Sequence, residues 1–496
     1  MAGAESNATK YIAKAAERDM VALAYESAKA RYQQVIDLLQ RDANADLAQR
    51  ARAAIGLAAA TRSLGEASFR DLVARAGRLA RAARSPELMA EAASLSYWVS
   101  FYVAELPDEE MIELCEDALE LLPDTHPMRV RLLVALSLHL TFTPDQEQRE
   151  KIIDEAREIA EQHGDPLLSA NVLYAEFVSL WEPSTIVRRE RVARDLGRLA
   201  RATGDPHTEF LSGFFTAYCL AERGDLGASA ARLQQLAPLV EATRSDYFDF
   251  VVQRLLLTIG IFRSEPDVQA RADALFQRFG ATQIDAEPTW MIQTAVIAYQ
   301  AGTMGQLVNP LQAMTTGAQS RMWAAGLAVA LLWSGDAAGA EQVLDRPDDI
   351  PKTYFWLPVM QARAEVAAGL GRTDHCRQMF EELLPYRGGI GITGSGSSCF
   401  ALVSRTLGLL ALTLDELPMA IELLTEAVEQ ASRIGTVFDG VTSRRLLALA
   451  LRASGAPEGA DDLLGAALAM ATQCGFAREG DLIRQLLADN PDAATG

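Results

Sequence analysis

The segment PYRGGIGITGSGSSCF, residues 385–400, holds the densest set of residues able to do chemistry in this chain. Gly389, Gly391 and Gly394 spell a formal GxGxxG. That spacing cradles a dinucleotide pyrophosphate only where it follows a strand and opens a helix. Here the preceding run Arg377–Leu384 reads as a helix, and no acidic ribose partner on a second strand is recognisable. The loop therefore reads as a long flexible connection ahead of a helix that starts near Ser398. Its other use would be a nest of backbone N–H groups at that helix start, where Gly394, Ser395 and Gly396 would grip an anion.

Other reactive constellations are missing from the sequence. No Gly-Lys pair occurs, so there is no standard P-loop to hold ATP. Ser395, Ser397 and Ser398 lack the GxSxG elbow of a nucleophilic serine. His375 and Cys376 are adjacent on one helix, which sets their side chains roughly 100° apart. The histidines His126, His139, His163, His207 and His375 show no HExxH or paired metal-ligand spacing. Carboxylate pairs such as Glu109-Glu110 and Glu381-Glu382 suit exposed helix faces, and no acid/base pair is assigned from them. The reading is a chain with no catalytic residues, no metal ligands and no cofactor.

Aromatic residues carry more weight. They cluster as Tyr97-Trp98 with Phe101-Tyr102, as Phe210 with Phe214-Phe215 and Tyr218, and as Tyr354-Phe355-Trp356. Most belong to the interhelical core. Tyr102, Trp181, Phe215, Tyr218, Trp290 and Trp356 are the candidates to line a concave groove, because rings supply contact area at little entropic cost.

The elements that must position these residues follow from a repeat that returns roughly every 36 to 44 residues. In SRTLGLLALTLDELPMAIELLTEAVEQASRIG (404–435), Leu407, Gly408 and Ala411 share one helix face. A turn follows at Asp415-Glu416, and Ala420, Leu424 and Ala427 mark the packing face of a second helix. Large and small residues alternate so that the two helices can approach closely. The same offsets around Gly335-Asp336 give Leu327, Ala328 and Leu331, then Ala340 and Leu344; around Gly455-Ala456 they give Leu447, Ala448, Leu451, then Ala460, Leu464 and Ala467. Around Gly224-Asp225 they give Thr216, Ala217, Leu220, then Ser229, Leu233 and Leu236. Glycine ends a helix in the left-handed region and aspartate caps the next.

A helix pair of this kind cannot bury its apolar stripe alone and must stack on its neighbours. The expected fold is all-α: a right-handed α-solenoid of about twelve antiparallel helix pairs, a tetratricopeptide-like superhelix. Residues 1–285 form an N-terminal repeat segment, 286–490 a C-terminal segment continuous with it, and 491–496 a frayed tail. Strands are not expected, because alternating Val-Ile-Thr-rich runs are scarce.

With 46 Lys and Arg against 66 Asp and Glu, the formal charge of −20 excludes a general nucleic-acid binder. Cys115, Cys219, Cys376, Cys399 and Cys474 are scattered and form no CxxC, which fits reduced core cysteines in a cytoplasmic protein. The N-terminal residues show no apolar signal core, and no run is long enough to span a membrane.

The run LLPYRGGIGITGSGSSCFALVSRTLGLLALTLDELPMAIELLTEAVEQASRIG (383–435) resembles the tetratricopeptide-like C-terminal halves of large bacterial signalling ATPases, the LuxR-type regulators and cyclase-linked proteins. YESAKARYQQVIDLLQ (25–40), followed by LAQRARAAIGLAAATRSLGEASFRDLVARAGRLAR (47–81), is similar to the segment after their ATPase module. The resemblance implies a sensor or scaffold array. The ATPase, cyclase and helix-turn-helix modules have no counterpart in this sequence, so their activities do not carry over. The functional expectation is a non-catalytic scaffold in bacterial regulation that binds a protein or peptide partner. The alternatives are a small-molecule effector sensor and an enzyme with its pocket inside the solenoid.

Overall fold

The computed structural model describes residues 2–22, 24–42, 45–64, 66, 68–96, 108–283, 285–315, 320–346, 351–393 and 396–488, without the side chains of 2–7 and 320–322. Among the described residues the chain is an all-α array with sequential pairwise packing. The first half comprises α1 Ala2–Val21, α2 Tyr25–Arg41, α3 Leu47–Ser63, α4 Phe69–Ala82, α5 Pro86–Ser96, α6 Glu109–Leu121, α7 Met128–His139, α8 Gln146–His163, α9 Pro166–Ser179, α10 Ile186–Thr203, α11 Pro206–Glu222, α12 Leu226–Gln234 and α13 Ala237–Thr243. The second comprises α14 Asp246–Phe262, α15 Val268–Phe279, α16 Ala286–Ala301, α17 Val308–Met314, α18 Ser320–Ser334, α19 Ala337–Leu344, α20 Trp356–Gly369, α21 Thr373–Leu383, α22 Val403–Thr413, α23 Leu417–Ile434, α24 Val437–Ala453, α25 Ala460–Cys474 and α26 Ala477–Ala488.

The Gly-Asp rhythm acts as the sequence predicts. Asp165, Asp205, Asp225 and Asp336 each accept a hydrogen bond from a backbone N–H in the first turn of the helix that follows. Gly164, Gly204 and Gly435 end their helices in the left-handed region. An aspartate oxygen satisfies an N–H that the helix itself leaves without a partner, so each turn starts a helix at a defined residue. The repeat positions then meet in the core. Leu407, Ala411, Ala420, Leu424, Ala427, Ala448, Ala460, Leu464 and Ala467 are all fully buried, as are Ala217, Ser229 and Leu233. Gly408 is required by this packing: a methyl group there would lie 2.5 Å from Cγ of Leu424.

One element departs from the expectation. Two strands pair as a β-hairpin, β1 Ile390–Thr393 antiparallel to β2 Ser398–Leu402, and α22 begins only at Val403. The described residues 390–393 and 398–402 of the Gly-rich run are therefore strands where a connection was expected. Ile390, Ile392, Cys399 and Leu402 are buried and join the main hydrophobic cluster. A two-stranded ribbon has two unpaired edges, and burying them is costly unless side chains supply partners. Here the Thr258 hydroxyl donates toward the carbonyls of Gly396 and Ser397 at 2.8 and 3.0 Å. The Gln361 amide donates to the Ala401 carbonyl at 3.1 Å, and the Gln430 amide to the Gly388 carbonyl at 2.8 Å. Asp439 accepts from the Leu402 N–H at 3.1 Å. Gly396 holds φ at +92°, where a Cβ would also strike Leu255.

The hairpin also joins parts of the array that are distant in sequence. Thr258 on α14 meets residues 138 and 139 positions away. Phe142 packs against Tyr354 and Phe355, with ring centroids 5.8 and 6.2 Å apart, and Trp181 meets Tyr354 at 5.2 Å. Nearest-neighbour stacking is thus supplemented by contacts across the coil.

Candidate interaction groove and filled interior

The first helices of successive pairs, α3, α5, α7, α9 and α11, line a groove of about 510 Å³. Its walls carry Arg62, Glu91, Arg131, Asn171, His207 and the ring of Tyr174. Leu167 also lines it and is 50% exposed, although most leucines of this chain are buried. Local sequence explains the placement. Asp165 caps α9 and Pro166 opens it, so Leu167 falls in the first turn and projects beyond the helix seam. Asp205 caps α11 in the same way, its carboxylate accepting from the Thr208 N–H at 2.7 Å and the Thr208 hydroxyl at 2.6 Å. Arg62 donates to the Leu95 carbonyl at 3.1 Å, which ties α3 to the end of α5. Burial pushes His207 down to about 4, and the nearby Arg62 guanidinium adds to the shift, so this imidazole is neutral at pH 7. The groove therefore offers mixed charge, amide hydrogen bonding and one exposed aliphatic anchor.

The interior beneath it is closed by side chains. Phe177 and Phe215 stack in parallel at 3.7 Å, and Trp181 meets Tyr218 edge-on at 4.4 Å. The Arg189 guanidinium lies 5.5 Å from the Phe177 ring and 5.4 Å from Trp181, and it pairs with Glu222 at 2.5 and 3.1 Å. Glu222 keeps Arg189 charged against a desolvation that would otherwise favour loss of its proton. A second buried charge cluster sits beside the hairpin. Arg405, 1% exposed, faces Glu365 at 2.9 Å and Asp439 at 3.2 Å, with the Tyr299 hydroxyl at 3.5 Å. Arg445 pairs with Glu479 close by, at 2.6 and 3.0 Å. Burial raises the Asp439 carboxyl, and Arg405 opposes that rise.

The residues singled out by sequence fall in several places. Trp181, Phe215 and Tyr218 come together in the aromatic layer and are at most 2% exposed. Trp356 is also buried, with Tyr386 at 5.4 Å and the Lys352 ammonium 4.9 Å from its ring. Trp290 stands apart, half-buried on Phe276, and its indole N–H donates to Asp273 at 2.7 Å. Gly396 packs on α14; Gly394, Ser395 and Tyr102 lie outside the described residues. Four of the cysteines, Cys115, Cys219, Cys376 and Cys399, are buried, and Cys474 is exposed. The polar groove residues Arg62, Arg131 and Asn171 were not picked out by sequence. Their signal is weak, since a polar residue on the first helix of a pair looks like any solvated position.

Among the described residues, no group of three or more His, Cys, Asp or Glu side chains is arranged to hold a metal ion. No helix of the described residues is long and apolar enough to cross a membrane. The helix pairs and their shared packing faces define a tetratricopeptide-like α-solenoid. No family model matches the chain, and no curated protein does. Among solved structures it is similar to yeast Tom70, at 11% sequence identity and a TM-score of 0.31, over 93% of this chain and 99% of that one.

Proposed function

We propose that this protein is a non-catalytic scaffold whose groove on α3, α5, α7, α9 and α11 takes up a peptide segment of a protein partner. The exposed Leu167 beside Arg131 and Asn171 is the observation that carries the reading. An aliphatic anchor ringed by amide and charged groups suits a peptide, which brings both side chains and backbone polar groups. The mixed charge of the walls disfavours a polyanion, as does the net charge of −20. The likeness of residues 383–435 to the helical halves of bacterial signalling ATPases motivates a regulatory setting in the cytoplasm.

The test places a photo-crosslinking residue at position 171 and, as a control, at position 187 on the outward face of α10, where Val187 is 64% exposed. A partner captured at 171 and absent at 187 is then purified and titrated. Leu167→Asp is expected to weaken that partner at least about tenfold, the cost of losing one anchor, with Val187→Asp leaving affinity unchanged. Capture at both positions, together with unchanged affinity for Leu167→Asp, would overturn the reading.

A further inference from the structure

We propose that the outward face of α10 docks an acidic segment of a protein partner. Arg191, Arg194, Arg198 and Arg201 follow one another at steps of three and four residues, which sets them within about 80° of each other around the helix. All four are exposed. Two open clefts flank this stripe and share Arg198. On one side Arg157 of α8 and Arg188 join it over α9, in a cleft of about 510 Å³. On the other side Arg194 and Arg201 border α11. The two clefts together hold six guanidinium groups against three carboxylates, those of Glu161, Glu176 and Asp195.

Part of this charge is used inside the chain. Glu176 is buried and binds Arg157 at 3.0 Å and Arg188 at 2.7 Å, and Arg188 also reaches Glu150 at 3.0 Å. These pairs tie α8, α9 and α10 together. At the edges of the stripe, Glu190 is taken by Arg223 at 2.8 and 3.1 Å, and Asp195 by Arg198 at 2.6 Å. The side chains of Arg191, Arg194 and Arg201 enter no ion pair with the described residues. Three such cations on one ridge, in a chain with a formal charge of −20, attract carboxylates from outside. The ridge from Arg191 to Arg201 runs about 15 Å, the reach of about five extended residues. A nucleic-acid duplex or a bilayer would continue past it onto α8, where the exposed Glu158 and Glu161 repel a polyanion. A short acidic peptide stays on the ridge. The face is distinct from the groove: α9 turns Leu167, Asn171 and Tyr174 to the groove, and Ser169, Leu173 and Glu176 to the outer cleft. Val187 begins the stripe, so a protein caught by a crosslinker there alone belongs to this face.

The experiment titrates the full chain at physiological salt with octaglutamate, octaglutamine, oligothymidylate and phosphatidylserine vesicles. Octaglutamate is expected to bind saturably at submillimolar concentration, and the other three at least about tenfold more weakly. The combined variant Arg191→Gln, Arg194→Gln, Arg201→Gln should weaken octaglutamate about tenfold, because each exposed charge pair contributes little alone and three act together. The control Arg41→Gln, Arg52→Gln, Arg75→Gln removes the same charge from exposed positions on α2, α3 and α4. It should change affinity by less than about twofold, because salt confines the reach of an exposed charge to about 8 Å. Circular dichroism checks that each variant is folded. Arg194→Glu, with an expected loss of about fivefold, decides the matter if the combined variant is not. Absence of saturable octaglutamate binding, equal losses in the α10 variant and its control, or unchanged affinity in Arg194→Glu would overturn the inference. So would octaglutamine, oligothymidylate or vesicles binding as tightly as octaglutamate.

Discussion

The groove on α3 to α11 and the interior around the hairpin are built from the same kind of helix pair, yet one stays open and the other is filled. In the groove region, Asp145, Asp165 and Asp205 start α8, α9 and α11 after Pro-Asp or Gly-Asp turns, Phe142 and Trp181 in the connections after α7 and α9 turn toward Tyr354, and the inner helix faces keep Arg62, Glu91 and Arg131. In the later region two connections carry apolar residues: Tyr354-Phe355 before α20, and Ile390, Ile392 and Cys399 before α22. Those connections fold inward and bury themselves against helices far back in the chain. The difference teaches that the concavity of a helical array is decided by its loops as much as by its helices. A polar connection leaves the inner face to solvent and partners, whereas an apolar one occupies it.

The sharpest way to break the filled region is at its buried charge. Arg405→Met would leave Asp439 and Glu365 without their cation, and loss of one partner of a buried ion pair costs ~3–5 kcal/mol. Denaturant unfolding should show this loss in the transition of the C-terminal helices, with the groove helices less affected. A stability equal to wild type would mean that the cluster is solvated and the interior is not closed.

The hairpin edge is the next lever. Gln361 is fully buried and donates to the Ala401 carbonyl and the Thr406 hydroxyl. Gln361→Leu should cost ~1–3 kcal/mol, because those buried acceptors lose their donor. Amide hydrogen exchange should quicken in 390–402, and exchange in α5 and α7 should stay as in wild type. Equal acceleration in both regions would erase the distinction between them.

Acid acts on the other side of the comparison. His207 titrates near 4 in the folded protein and near 6.5 when unfolded. Between these values the unfolded chain binds a proton that the folded chain does not, so stability falls as pH drops from 6.5 toward 4. His139 behaves likewise, pushed down to about 4 by burial, and it sits on α7, with the Ser96 hydroxyl 2.8 Å from its ring. His207→Gln should flatten the melting-temperature profile between pH 6.5 and 5. An unchanged slope would show that His207 is solvated in the folded state.

Leu167→Asp should have the smallest effect on stability, within ~0.5 kcal/mol, because half of the side chain already faces water. Its melting temperature should match wild type in the same preparation that loses partner binding. A large drop in stability would make Leu167 a core residue, and the groove reading would lose its anchor.

Much of the fold was legible from local signals. The offsets around Gly224, Gly335 and Gly455 located packing residues such as Ala217, Leu233, Ala340 and Leu464, which are buried. The site was less legible. The Gly-rich run was read as flexible because glycines and serines dominate it, while Ile390, Ile392, Cys399 and Leu402 become strand residues only where a core receives them. The clue was present elsewhere, in Thr258, Gln361 and Gln430. Each is a polar residue on an otherwise apolar helix face, and each is there to satisfy a backbone edge that comes from another part of the chain.

By itself, then, the sequence determined helices, turns and seams, because hydrophobic periodicity, aspartate caps and left-handed glycines act within a few residues of one another. Tertiary structure alone decided which inner faces remain open. That outcome depends on contacts such as Thr258 with Gly396 and Trp181 with Tyr354, which form only after the coil brings distant segments together. Whether an apolar loop buries inward depends on a surface that does not exist until the surrounding helices have packed.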